Sequence, residues 1–240
     1  MDPVLGKSIK RFYKQAAAVA GEGGFVIHLD GKPVKTPLGH RLALPSLALA
    51  EAVAAEWQAQ GTEIKPHSMP LTQLSSTAID RVGPERGAIT AQLMAYAGTD
   101  LLCYRADFPP ELVKRQAASW QPLVDWARTA LGAELTVTEG VIAIAQAPAA
   151  LTALQAHLDG LDVWVLTAAQ SACAATGSLV LALALAAGRV DTEAAFAVSQ
   201  LDEDFQIEQW GEDYEAADRR TALRADLRAA ERLLNLCRAA

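Results

Sequence analysis

Basic residues are in short supply: 21 lysines and arginines stand against 28 acids, a net charge of −7. That balance excludes broad nucleic-acid binding, which needs a basic footprint. It also excludes docking on anionic lipid through clustered lysines and arginines. Cysteine is scarce too. Cys103, Cys173 and Cys237 are odd in number and far apart in sequence, so no disulfide framework or zinc pattern follows. They read as buried or idle thiols in a reducing compartment.

Phosphate-binding and nucleophile-elbow signatures are missing. There is no G-x-x-x-x-G-K-[ST] loop and no G-x-S-x-G turn. Gly21-Glu22-Gly23-Gly24 is glycine-rich, but no helix follows it, so it reads as a loop between strands. His28, His40, His67 and His157 lie neither four apart nor beside a cysteine, so no metal site is expected. The segment MDPVLGKSIKRFYK is mixed in charge and is neither a secretory signal nor an Arg/Ser-rich transit peptide. The expectation is a bacterial cytoplasm, or a mitochondrial matrix for a processed chain. Val163 to Gly188 carries no charge and is long enough to span a bilayer. Thr167, Gln170, Ser171, Thr176, Gly177 and Ser178 interrupt it, so two buried helices broken near Gly177 are expected, with no membrane insertion.

What is present is enough apolar material for a core: 51% hydrophobic residues against 20% charged. Lys14 to Ala20 reads as a strand. Phe25, Ile27 and Leu29 alternate with Val26 and His28 at strand period. Asp30-Gly31 then suits a two-residue hairpin turn with positive φ at both positions. Pro33 marks an edge on the return strand, and Leu42 and Leu44 start another. Ser46 is a helix N-cap, with the helix running from Leu47 to Gln60 and Gly61 as its cap. From Pro70 the pattern is helical: Leu71 to Val82, Glu85 to Ala97, then a long helix from Pro110. In that helix Leu112, Gln116, Trp120, Leu123 and Ala127 form one apolar face, with Gln116 the polar exception and Pro122 inside. Leu135 to Ile144 is a late strand candidate. One helix from Asp191 or Thr192 to Trp210 and another from Tyr214 to Arg238 close the chain. The fold class is α+β: a small N-terminal β-hairpin-rich domain with a helix, residues 1–67, then a mainly helical domain, residues 68–240.

Two features bear on chemistry. Asp100, between Thr99 and two leucines, is the most distinctive single acid; it reads as a cap or turn residue, or as part of an enzyme site assembled with His67 from dispersed acids and histidines. The segment DEDFQIEQWG, Asp202 to Gly211, is the other. At about 100° per residue, Ala194, Val198, Leu201 and Phe205 share one side. Phe196, Ile207 and Trp210 fall on the opposite side, with Glu203 among them. One stripe can face the core; the second must meet another layer or a partner. A carboxylate inside an apolar stripe is costly unless paired. Glu203 is therefore either bridged to an arginine such as Arg219 or Arg220, or kept for a partner.

Several stretches together carry a family resemblance. They are Arg11-Phe12-Tyr13-Lys14, the hairpin from Leu29 to Pro37, Glu56-Trp57, Pro70-Leu71-Thr72 with Ala78-Ile79-Asp80, and Thr99-Asp100 with Tyr104-Arg105. Gln116, Trp120, Pro122-Leu123 and Trp126 follow, then Phe205-Gln206 with Trp210-Gly211. In this order they resemble the assembly chaperones for the alpha subunit of mitochondrial and alphaproteobacterial F-type ATP synthase. The resemblance implies a non-enzymatic chaperone without cofactor or metal. Such a protein binds the unassembled alpha subunit and prevents its aggregation until the beta subunit replaces it. It further implies an acidic contact residue in the penultimate long helix, a role open to Asp202, Glu203 and Glu208. Phe205, Trp210 and Trp57 are the anchor candidates, each with core packing as its alternative. A free monomer is expected. The rival readings are the dispersed-site enzyme, a small-ligand-binding helical protein and a structural subunit of a permanent complex, the last of which predicts a large, strongly apolar surface.

Overall fold

The computed structural model describes residues 9–140, 142–211 and 213–238. Its contacts separate into two units, one of Met1–Pro84 with Arg232–Ala240 and one of Glu85–Glu231.

The first unit is strand-rich. Strands β1 (Ile9–Lys10), β2 (Ala16–Gly21), β3 (Gly24–Leu29), β4 (Lys32–Pro33) and β5 (Ala43–Leu44) precede helix α1 (Leu47–Gln58) and β6 (Glu63–Ile64). β1 pairs with β6. β2, β3 and β4 form an antiparallel sheet in that order, and β5 also pairs with β3. Turn chemistry sets this register. Asp30 and Gly31 both take positive φ, as their dipeptide predicts. The Asp30 carboxylate also accepts the N–H of Lys14 (3.0 Å) and of Gln15 (2.9 Å), so one residue makes the turn and ties down the strand entry. Gly24 has φ 133°, and a Cβ there would lie 2.3 Å from the Leu44 carbonyl oxygen, so only glycine lets β3 and β5 meet. Ser46 caps α1 by accepting from Leu49 N (3.1 Å) and donates to the Leu236 carbonyl (2.7 Å). The helix stops at Gln58 with Ala59 as its cap, two residues before the expected glycine. Gln60 explains the early stop: its side chain accepts from Lys65 N and donates to the Glu56 carbonyl. α2 (Pro70–Thr77) widens into a π-helical turn, Ala78–Val82, where one α-helix was expected.

The second unit is almost wholly helical: α3 (Arg86–Gly98), α4 (Pro110–Leu131), α5 (Pro148–Gly160), α6 (Val163–Thr176), α7 (Leu179–Ala186), α8 (Thr192–Ser199), α9 (Leu201–Trp210) and most of α10 (Tyr214–Arg238). Among the described residues of the late strand candidate, only β8 (Thr138–Glu139) is a strand, paired in parallel with β7 (Tyr104–Arg105); Val141 lies outside the described residues. The uncharged run is two helices, parted by Gly177 at φ 70°. Every residue of α7 is buried, which suits a helix that is apolar on all sides. No described helix is long and apolar enough to cross a membrane. Asp100 is fully buried and accepts from Ser178 Oγ (2.7 Å), Val180 N (3.0 Å) and Leu102 N (3.1 Å). Burial pushes its carboxyl up, opposed by those donors. Ser178 in turn caps α7 through Leu181 N (3.0 Å). Asp100 thus ties the turn Leu101–Cys103 to the start of the central helix, the capping role among its sequence readings. His67 is exposed in the turn Pro66–Ser68 of the first unit.

Candidate partner-binding surface

The single helix expected from Asp191 to Trp210 is two helices. Gln200 (φ −103°, ψ 12°) ends α8 and begins α9, so the angular reading across residues 194–210 does not hold as one wheel. Within α9 it does hold. Around this helix the polar contacts sort by face.

One face is turned toward α4. Asp202 Oδ1 accepts from Gln116 Nε2 at 2.7 Å. Burial raises the Asp202 carboxyl, opposed by that amide. Gln116 is itself buried, and its Oε1 accepts from Ala106 N (2.8 Å), so the polar exception on α4 bridges a loop and α9. Glu208 receives both its bonds from Arg115 Nη1, each 2.8 Å. The Arg115 guanidinium lies 5.3 Å from the Phe205 ring centroid and also bonds Glu111 on its own helix. Glu208 and Glu111 hold Arg115 firmly charged. Trp120 Nε1 donates to the Val198 carbonyl at the end of α8 (3.0 Å). A further side of α9 meets α10, where Arg220 bonds Asp204. Of the two arginines offered as partners for Glu203, Arg220 is bonded to its neighbour Asp204 instead, and Arg219 forms no ion pair with Glu203 among the described residues.

Asp202, Phe205 and Glu208 thus share the α4-facing side. Glu203, Gln206, Ile207 and Trp210, at i, i+3, i+4 and i+7, share the opposite side. α9 has no buried residue, and Trp210 at its end is 80% exposed. Glu203 is exposed and has no ion-pair partner among the described residues. Trp57 lies elsewhere, on α1 in the first unit. It is half-buried, its ring centroid 5.9 Å from that of Tyr13, and its carbonyl accepts from Tyr13 Oη at 2.6 Å. The sequence reading missed Arg115, whose role depends on a residue 93 positions away. Gln116 was visible as a polar interruption, but its partner was not.

Chemically, this surface offers an exposed carboxylate and an aromatic ring on one helix face, held rigid from behind by ion pairs and an amide bridge. Among the described residues no group of three or more His, Cys, Asp or Glu side chains is placed to hold a metal ion.

Comparison with known proteins gives a consistent picture. The model of the family described as ATP12 chaperone protein matches residues 10–128. The crystal structure of Atp12 from Paracoccus denitrificans is 44% identical, with a TM-score of 0.91 over 95% of this chain and 98% of that one. The mitochondrial protein atp12 of Schizosaccharomyces pombe is 28% identical over 221 residues, 87% of this chain and 76% of that protein. Mitochondrial ATP12 of Saccharomyces cerevisiae is 24% identical over 253 residues, 87% of this chain and 78% of that protein. The N-terminal strands, the helical remainder and the near-complete match to a solved relative lead to one conclusion: this chain belongs to the ATP12 chaperone family.

Proposed function

We propose that this protein binds the unassembled alpha subunit of an F-type ATP synthase, covers its subunit interface and prevents aggregation until the beta subunit displaces it. The observation that carries the reading is α9, a helix with no buried residue in a family of chaperones. A subunit waiting for its partner exposes an interface that aggregates if left open. The protein that covers it must also let go, which favours a few anchors within a partly polar contact. Glu203 and Trp210 are the first contacts in this reading, as carboxylate and apolar anchor. Asp202, Phe205 and Glu208 hold α9 in place behind them, and Trp57 is a separate anchor in the first unit. No catalytic step and no cofactor enter the reading, and the compartment is that of the client: a bacterial cytoplasm or a mitochondrial matrix.

The test is a pull-down with light scattering, using isolated alpha and beta subunits. Selective capture of alpha, suppressed scattering and release on addition of beta are expected. Capture of neither subunit would sink the reading.

A further inference from the structure

The open edge of the first unit's sheet carries information that α9 does not. β2 lies at the end of the strand order and, among the described residues, pairs only with β3. Its register with β3 is unbroken from Ala16–Leu29 to Gly21–Gly24. In an antiparallel ladder alternate residues bond the neighbour, and the others point their N–H and C=O away from it. Two bonds fix which set is which. Gln15 C=O accepts from Asp30 N (2.9 Å), so the odd residues face β3. Ala16 N donates to Gln58 Oε1 (2.8 Å), so the even residues face outward.

Gln58 Nε2 also donates to the Lys14 carbonyl (3.2 Å). One side-chain amide thus takes the place of a neighbouring strand's peptide at the first outward position. The next two outward positions, Ala18 and Ala20, have no such partner among the described residues. The strand reads AAAVAG, with no charge, no proline and no bulge, none of the devices that normally blunt an edge.

We propose that this edge pairs with β2 of a second copy of the chain, antiparallel about a two-fold axis at Val19. In that register Ala18 lies opposite Ala20 of the second copy and Ala20 opposite its Ala18. All four unpartnered N–H and C=O pairs on the two edges are then satisfied, and the Gln58 bonds stay intact. Charge selects this occupant and this direction. The strand is entered past Lys10, Arg11 and Lys14 and left at Glu22, so antiparallel pairing sets the basic end of each copy beside the acidic end of the other. Lys14 and Glu22 of opposite copies are diagonal neighbours, within reach of long side chains. Glu22 is almost fully exposed, its contact to Arg41 being a long 3.6 Å. Parallel pairing would set like charges together. Alanines and one valine let two such edges approach without a steric clash, and an isologous two-fold contact closes after two copies.

The experiment is analytical ultracentrifugation of the full chain across a concentration series, with hydrogen exchange read at Ala18 and Ala20. A monomer–dimer equilibrium is expected, with both amides protected only at high concentration. Ala18→Pro removes the outward N–H at a position where an edge strand tolerates proline, and weakens the dimer by roughly tenfold or more. Lys14→Glu weakens it by about threefold to tenfold, and adding Glu22→Lys to that variant restores it. The charge pair keeps the test decisive if the proline variant misfolds. A monomer at every concentration overturns the proposal, as does a dimer indifferent to the charge swap. Protection of Ala18 and Ala20 only when a client is added also overturns it and assigns the edge to a client strand.

Discussion

The Glu56 carboxylate on α1 bonds Thr72 twice: Oε2 accepts from its backbone N–H and from its hydroxyl, both at 2.8 Å, while Oε1 accepts from Leu71 N at 2.8 Å. Met69, at the N-cap of α2, has no capping side chain, and Pro70 brings no N–H. A buried acid from another helix therefore does the capping that α2 lacks. Glu56→Ala leaves three buried donors without a partner, and a loss of about 3 kcal/mol is expected. Glu56→Gln keeps one acceptor and costs roughly half as much. Urea unfolding of the two variants measures this; equal midpoints for Glu56→Ala and the parent would show that the cap contributes nothing.

Trp120 is fully buried on α4, and its Nε1 bonds the Val198 carbonyl at the end of α8. Trp120→Phe removes the donor and leaves a void. A destabilisation of about 2 kcal/mol is expected, readable from the thermal or chemical unfolding midpoint. An unchanged midpoint would mean that α8 does not rely on this bond.

Asp80 lies in the π-helical turn, its side chain 10% exposed. Burial would raise its carboxyl, but donors from Thr36 Oγ1 (2.6 Å), His40 Nδ1 (2.7 Å) and Leu38 N (2.9 Å) outweigh that and hold it below its ordinary value. A pKa lowered on folding contributes stability that is present above the unfolded value, about 3.9, and is lost as pH falls through the folded value. Asp80→Asn is expected to be less stable than the parent at neutral pH. The gap closes as pH drops below about 4. A gap constant from pH 7 to acid would contradict this linkage.

The acidic run separates into roles that one pair of substitutions distinguishes. Glu208→Lys sets a cation against Arg115 and detaches α9 from α4, so both folding stability and client binding fall. Glu203→Lys touches no ion-pair partner among the described residues, so the melting temperature holds while binding to the alpha subunit is lost. Calorimetry beside pull-down reads the two effects separately. If Glu203→Lys binds normally, α9 does not present the contact carboxylate.

The N-terminal hairpins were legible because local chemistry dictates them. Asp30-Gly31 and the alternating run around Ile27 have one good solution each, and Ser46 and Gly177 mark helix ends in any context. The central placement of α7 followed from its uninterrupted apolar sequence. The break at Gln200 was not legible, since no glycine or proline marks it. The run from Ala194 to Trp210 also keeps helical spacing across it.

The sequence alone determined the α+β order, the early turns and caps, the uncharged pair α6 and α7, and the ordered motifs that led to the family. Those are decided by bonds and sterics within a few residues, or by apolar periodicity. Tertiary structure decided which acids are free. Asp202, Glu203, Asp204 and Glu208 are near-equivalent in sequence. Gln116, Arg220 and Arg115 engage all of them except Glu203, because α4 and α10 pack against only part of the α9 surface. Likewise Glu56 reads as one more helix acid until α2 is brought to it. Long-range partners convert identical residue types into different roles, and no local pattern records which partner will arrive.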